Sequence, residues 1–281
     1  MKAKLLLSLF SCLFSITAFA ADYDLVVYGG TSGGIAAAIQ ASRMGKSVAL
    51  IEPTNRIGGL TTGGLGQTDI GNKFAIGGIS REFYQNIRKY YEDPASWNWQ
   101  KRQEYQDGGQ TRTAEGEDAM WTFEPSVAVK VYHQMLAEVD IDLVYGQRLN
   151  RQTGVRMNGP RIVEIEMESG EVYRGKMFID ATYEGDLMAA AGVSYVVGRE
   201  SNDEFKETLN GVQPNYFYPK LNGYASRNAA NHNFVPGVDP YVIMGDPSSG
   251  LLPYITEGGK PGIQGSASTG VQAYCFRMTL T

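Results

Sequence analysis

Glycines and one acid stand where a bound dinucleotide needs them. The stretch Gly29-Gly30-Thr31-Ser32-Gly33-Gly34 lies between an apolar run and an alanine-rich one, and Glu52 follows eighteen residues after Gly34. A dinucleotide fingerprint reads Gly-x-Gly-x-x-Gly at the turn from a strand into a helix, with an acid some twenty residues on. Gly29 fills the first position, where the chain must turn sharply, and Gly34 the third, where helix and strand lie close. Thr31 takes the second, usually a glycine so that backbone can approach the pyrophosphate; neighbouring Gly30 and Gly33 offer that freedom instead, and the Thr31 hydroxyl is a candidate donor to a phosphate. Free N–H groups at the helix start suit phosphate charge. Glu52 is placed to accept hydrogen bonds from ribose hydroxyls, which argues against a 2′-phosphate.

These residues need a strand, a helix and a second strand to hold them. Residues 23–28 read as a buried strand, 33–44 as a helix stopped by Gly45, and 46–52 as a second strand ending on the acid. That is one βαβ unit, which implies a parallel sheet with a right-handed crossover. Further on, residues 80–91 and 125–139 read as helices and 141–145 as a strand. Residues 162–167 and 171–178 alternate around Ser169-Gly170 as a β-hairpin whose second arm runs into Asp180-Ala181-Thr182. Residues 92–120 read as an irregular surface insertion. Residues 199–270 show little periodicity and are rich in Gly, Pro, Asn, Ser and Tyr, as the start of a second domain or a cap would be.

The stretches Tyr23–Gly34, Glu52 and Arg56-Ile57-Gly58-Gly59-Leu60-Thr61-Thr62-Gly63-Gly64-Leu65-Gly66, with Met177–Leu187, together resemble the FAD-dependent oxidoreductases of the glutathione-reductase type, nearest to an exported subgroup found in polysaccharide-degrading bacteria. The resemblance covers about residues 22–198 and continues weakly beyond. It implies an α/β fold: a Rossmann-like FAD-binding domain with a parallel sheet, helices and a small antiparallel β layer, followed by a partial, irregular substrate or cap domain. The domains expected are 21–198 and 199–281, behind residues 1–20.

What the resemblance implies about the cofactor follows position by position. FAD is expected to contact Gly29, Gly30, Thr31, Ser32, Gly33, Gly34, Glu52 and Pro53, and to be flanked along its diphosphate by Arg56, Gly58, Gly59 and Leu60. Thr61 and Thr62 would lie towards the ribityl chain or flavin ring. Gln147-Arg148-Leu149 would meet the adenine. Ala181 and Thr182 match the strand-end turn that returns to the nucleotide domain, with Tyr183 where the wider superfamily has glycine. The family's C-terminal segment is not found before Thr281, and residues 271–281 alternate like a strand with no turn after them, so a longer parent protein is expected.

Composition narrows the rest. The chain has 281 residues and net charge −5, with 43% hydrophobic and 20% charged residues, and carries no basic block. A nucleic-acid partner is therefore not expected. Lys2 and Lys4, the apolar run Leu5–Ile16 and Ala18-Phe19-Ala20 read as a Sec-type signal peptide cleaved after Ala20, which places the protein in the periplasm or outside the cell and predicts no other membrane contact. Cys275 alone would remain after cleavage, so no internal disulfide forms. His133 and His232 stand apart from other ligating residues, so no metal site is expected. No Cys-x-x-x-x-Cys pair supports disulfide reduction.

The function expected is that of an exported FAD-dependent oxidoreductase, moving hydride from a small organic, carbohydrate-derived substrate to flavin. Two alternatives are an NAD-dependent dehydrogenase and a non-catalytic nucleotide- or carbohydrate-binding module. No catalytic residue is assigned; Asp69, Tyr183, Glu184 and His232 are candidate bases by type alone. Trp97, Trp99, Tyr105 and Trp121 are candidates for stacking on sugar rings. Oligomeric state is left open.

Overall fold

The computed structural model describes residues 22–108, 111–113, 116–213, 239–253, 255 and 262–271. The signal peptide, Cys12, Cys275, His232 and the strand expected at the chain's end lie outside the described residues, apart from Val271.

A run of apolar residues with both faces buried makes a central parallel strand. Strand β1 (Asp22–Tyr28) is such a run, and β2 (Val48–Glu52) is buried at every position. Between them α1 (Ser32–Arg43) crosses over. Strand β3 (Asp142–Tyr145) extends the sheet beyond β2, in parallel. On the other side β1 pairs in parallel with β6 (Val172–Asp180), and β6 pairs antiparallel with β5 (Arg161–Glu166). Strand β4 (Val155–Asn158) closes the order β3-β2-β1-β6-β5-β4. This is the expected Rossmann-like α/β sheet with its antiparallel layer.

Alternate residues of β1 and β2 feed two cores. Val27 and Leu50 face α1, α3 (Gly78–Glu92) and α4 (Pro125–Ala137), while Val26, Tyr28 and Ile51 face Leu149, Ile165, Met167 and Leu187. Helix α3 buries Phe83, Ile87 and Tyr91, one residue per turn. Pro125 begins α4 at a position where a missing N–H costs nothing. The short helices α2 (Gly59–Thr62) and α5 (Asp186–Ala190) follow β2 and β6.

Among the described residues, 92–120 are largely exposed. Short 3₁₀ turns at Pro94–Ser96 and Arg102–Glu104 bring the chain back, and Thr111 and Ala119 are fully buried. Trp121, a candidate sugar platform by type, is instead fully buried beside Ile70 and Ala119, with its ring 4.6 Å from that of Tyr84. Trp121→Ala is expected to cost about 3–5 kcal/mol, the usual cost of emptying a buried tryptophan site. Chemical denaturation measures it, and a loss under about 1 kcal/mol would contradict this packing.

Contacts divide the chain into two units between Ser194 and Tyr195. The second unit, by itself, holds α6 (Asn202–Phe205) and a hairpin of β7 (Tyr241–Ile243) and β8 (Asp246–Leu251). Among the described residues no helix is long and apolar enough to cross a membrane.

Candidate functional site

The C-terminal ends of β1, β2 and β6 bring the three motifs together. Gly29 has φ +105°, and a Cβ there would lie 2.7 Å from the backbone between Ala181 and Thr182. Ala181 N–H donates to Tyr28 O at 2.8 Å, so the turns after β1 and β6 lie side by side. Gly34 permits the closest approach: a Cβ there would stand 2.0 Å from Gly29 O.

Thr31 holds this junction. It sits at the N-cap of α1, where its hydroxyl oxygen accepts from Gly34 N–H at 3.3 Å. Its hydroxyl proton goes to Ala181 O at 2.8 Å. The hydroxyl therefore ties α1 to the end of β6, in place of the phosphate contact considered for it. The N–H groups of Ser32 and Gly33, in the first turn of α1, have no protein acceptor among the described residues, as expected of a helix start. Gly33 is exposed, and a Cβ there would find only Thr31 Oγ1, at 3.8 Å.

Glu52 is buried against this loop. Its Oε2 accepts from Gly30 N–H at 2.9 Å. Its Oε1 accepts from Thr54 N–H at 2.7 Å and from the Thr54 hydroxyl at 2.6 Å. A carboxylate offers about four acceptor sites, so three donors leave one for a ribose hydroxyl. Gly30 is needed because the carboxylate occupies the space of a side chain: a Cβ would lie 2.8 Å from Glu52 Oε2. Pro53 follows directly. Gln147 N–H donates to Glu52 O at 3.2 Å, which brings the 147–149 segment to the same acid.

Leu149 is fully buried, and its N–H donates to the Tyr28 hydroxyl at 2.9 Å, while Arg148 O accepts from Glu168 N–H at 2.7 Å. The Leu149 N–H is thus already spent within the protein.

The second glycine motif wraps around the same loop. Gly58 N–H donates to Gly30 O at 2.7 Å. Gly58 and Gly59 have φ +91° and +53°. The Arg56 guanidinium donates to Thr62 O. Thr62 is fully buried, and its hydroxyl donates to Ile57 O at 2.5 Å, so that hydroxyl is engaged in bracing α2. The ring of Tyr132, from α4, packs against Gly58, where a Cβ would lie 3.0 Å from its Cδ2, and burial raises the pKa of that phenol. Tyr132, Tyr28 and Thr54 are site residues that the motifs did not point to. Only the hydroxyl of Thr54, two residues past the acid, gave a local sign.

Thr182 and Asp180 organise the third turn. Asp180 Oδ1 accepts from Thr182 N–H at 3.0 Å and from its hydroxyl at 2.7 Å, and Asp180 Oδ2 accepts from Met188 N–H at 2.8 Å. Tyr183 reaches back across the site: Leu60 N–H donates to its Oη at 2.8 Å. A ligand drawing on the Leu60 N–H must take it from this phenol. Tyr183→Phe is therefore expected to tighten FAD binding about two- to tenfold, the worth of one neutral hydrogen bond. Titration by flavin fluorescence quenching tests this; weaker binding would mean that the hydroxyl itself holds the cofactor.

Asp69 and Glu184 are exposed. Among the described residues no group of three His, Cys, Asp or Glu side chains is placed to hold a metal.

A family model described as FAD dependent oxidoreductase matches residues 24–281. The fold is similar to L-proline dehydrogenase from P. horikoshii, with 16% identity, TM-score 0.41, and coverage of 65% of this chain and 59% of that one. It is also similar to the 3-ketosteroid-delta4-(5alpha)-dehydrogenase from Rhodococcus jostii, with 17% identity, TM-score 0.35, and coverage of 58% of this chain and 46% of that one. The chain thus spans less than two thirds of either protein. No curated protein matches it in sequence.

Proposed function

Because the chain belongs to the FAD dependent oxidoreductase family, we propose that the protein is an exported flavoenzyme that oxidises a small organic, carbohydrate-derived substrate. The observation that carries the cofactor assignment is the start of α1. There the unaccepted N–H groups of Ser32 and Gly33 stand beside the buried carboxylate of Glu52, which Gly30 N–H orients at 2.9 Å. Phosphate charge suits the first, and ribose hydroxyls suit the second.

In this reading Ser32 and Gly33 receive the diphosphate, while Gly30 holds Glu52 beside them. Glu52 takes a ribose hydroxyl, with Pro53 at its edge. Gly58, Gly59 and Leu60 pass alongside, and Ala181 with Thr182 closes the floor. When bound, FAD supplies acceptance of a hydride from a substrate carbon, and the protein's task is to orient and shield it. Thr31, Thr62 and Leu149 serve by bracing the backbone that makes those contacts. Export is supported by Lys2, Lys4, the apolar run behind them and Ala18-Phe19-Ala20.

Ligand released by heat from the purified chain, identified by mass and visible absorption, tests the cofactor. FAD is expected. NAD would replace this reading by a nicotinamide-dependent one, and a folded protein that FAD neither enters nor stabilises would leave a non-catalytic module. Cell fractionation with N-terminal sequencing tests export, with Ala21 expected as the first residue.

A further inference from the structure

A further cleft is lined by residues between Tyr91 and Glu124, with a volume of about 300 Å³; one of them, Phe123, donates its N–H to Gly66 O at 2.9 Å, at the end of the second glycine motif. That is the lower end of the range of small-molecule pockets, roughly 300–1,000 Å³. Its wall is a row of aromatic rings. Trp97 lies 5.3 Å from Tyr91 and 5.4 Å from Tyr105, centroid to centroid.

The polar ends of these rings are all engaged. Trp97 Nε1–H donates to Tyr91 O at 2.9 Å, the Tyr91 hydroxyl donates to Glu124 Oε2 at 2.8 Å, and the Tyr105 hydroxyl is bonded to Thr122. The wall is thus held rigidly before any ligand arrives. Trp99, beside it, is 76% exposed. The side-chain amides of Asn98 and Gln100 and the second oxygen of Glu124 also line the cleft and make no hydrogen bond among the described residues.

We propose that this cleft binds a neutral pyranose ring of a sugar. A pyranose offers an apolar face of C–H groups and a rim of hydroxyls. The indoles of Trp97 and Trp99 match the face, and two amides with one carboxylate oxygen match the rim. Charge argues against an anionic ligand: among the described residues no cation lines this cleft, and Arg88 and Arg102 instead line an adjoining cavity that shares Tyr91, Trp97 and Tyr105. An organic cation needs ring faces around a common centre. Here Tyr91, Trp97 and Tyr105 pack on one another in sequence, tilted by 53° and 52°, and form a wall. The inference stands on this cleft alone and does not require the flavin assignment.

The test is a titration of the full chain with cellobiose, maltose, mannobiose and galactobiose, and with tetramethylammonium as the counter-probe, followed by tryptophan fluorescence. Saturable binding of at least one disaccharide in about the millimolar range is expected. Trp99→Ala should weaken it at least about fivefold and Asn98→Ala at least about twofold. Trp99 is mostly exposed, so its removal leaves the fold intact, and FAD retention by the variant should match that of the native chain. The proposal is overturned if no disaccharide saturates, if binding is indifferent to both substitutions, or if only tetramethylammonium binds. A native chain that binds sugar but holds no FAD would leave this proposal standing and overturn the flavin reading.

Discussion

Gly34→Ala is expected to unfold the nucleotide-binding unit or to lower its Tm by about 6–12 °C, while Gly33→Ala one residue earlier leaves Tm unchanged and weakens FAD binding at least about tenfold. The adjacent glycines differ in what surrounds them. A methyl at Gly34 would stand 2.0 Å from Gly29 O and 3.1 Å from Ala181 Cβ. The first of these is backbone, fixed by Gly29 N–H donating to Ile51 O at 2.8 Å. Helix α1 would have to lift off β1, and overpacking of that kind costs about 3 kcal/mol or more. At Gly33 the nearest atom is Thr31 Oγ1 at 3.8 Å, so the folded chain accepts the methyl. That methyl occupies the space in front of the α1 N-terminus, where a diphosphate has to approach. Thermal melts and FAD titration of both variants separate the roles. A native Tm for Gly34→Ala would contradict the packing, and native FAD affinity for Gly33→Ala would remove the cofactor from this loop.

The parallel sheet and its site were legible where short-range chemistry determines structure. Glycine spacing, the acid at the end of β2 and the alternation around Ser169-Gly170 each carry their own signal, and the structure places the first two at the same end of the sheet, beside the turn after β6. What the sequence hid depends on contacts between distant residues. The Thr31 hydroxyl looked available because its partner, Ala181 O, lies 150 residues away. Leu149 N–H looked available for the same reason, its acceptor being the Tyr28 hydroxyl 121 residues earlier. The packing of Tyr132 against Gly58 likewise joins segments far apart in the sequence. Strand β4 was missed because Val155–Asn158 is only four residues long and carries one partly buried side chain. Strands β7 and β8 were missed because their strongest cue is the single turn glycine Gly245, at φ +81°.

These hidden contacts share a purpose. Thr31 to Ala181, Leu149 to Tyr28, Gly58 to Gly30 and Gln147 to Glu52 each join two of the segments that would surround the cofactor. The protein spends its own polar groups on joining them, and keeps for a ligand those that face outward at the helix start and on Glu52. A site built in this way is set before the cofactor arrives, which reduces the ordering that binding requires.

Glu52→Gln tests that division at its most loaded residue. The carboxylate holds Gly30 N–H at 2.9 Å on one oxygen and both Thr54 donors, at 2.7 and 2.6 Å, on the other. An amide of the same shape has only one acceptor oxygen. If that oxygen stays with Thr54, the new NH₂ faces the Gly30 N–H, donor against donor. A buried N–H left unsatisfied costs about 1–3 kcal/mol. The acceptor for a ribose hydroxyl is lost as well, and a hydrogen bond to a charged group contributes about 1.5–3 kcal/mol. FAD affinity is therefore expected to fall about 10- to 100-fold, with stability lower by about 1–3 kcal/mol. Thr54→Val supplies the comparison. It removes one donor from Oε1 and leaves the carboxylate charged, so stability drops by about 1 kcal/mol while FAD affinity changes less than about threefold. If both variants lose FAD to the same degree, Glu52 only braces the loop and the ribose lies elsewhere. If Glu52→Gln alone loses it, the carboxylate is a direct cofactor contact.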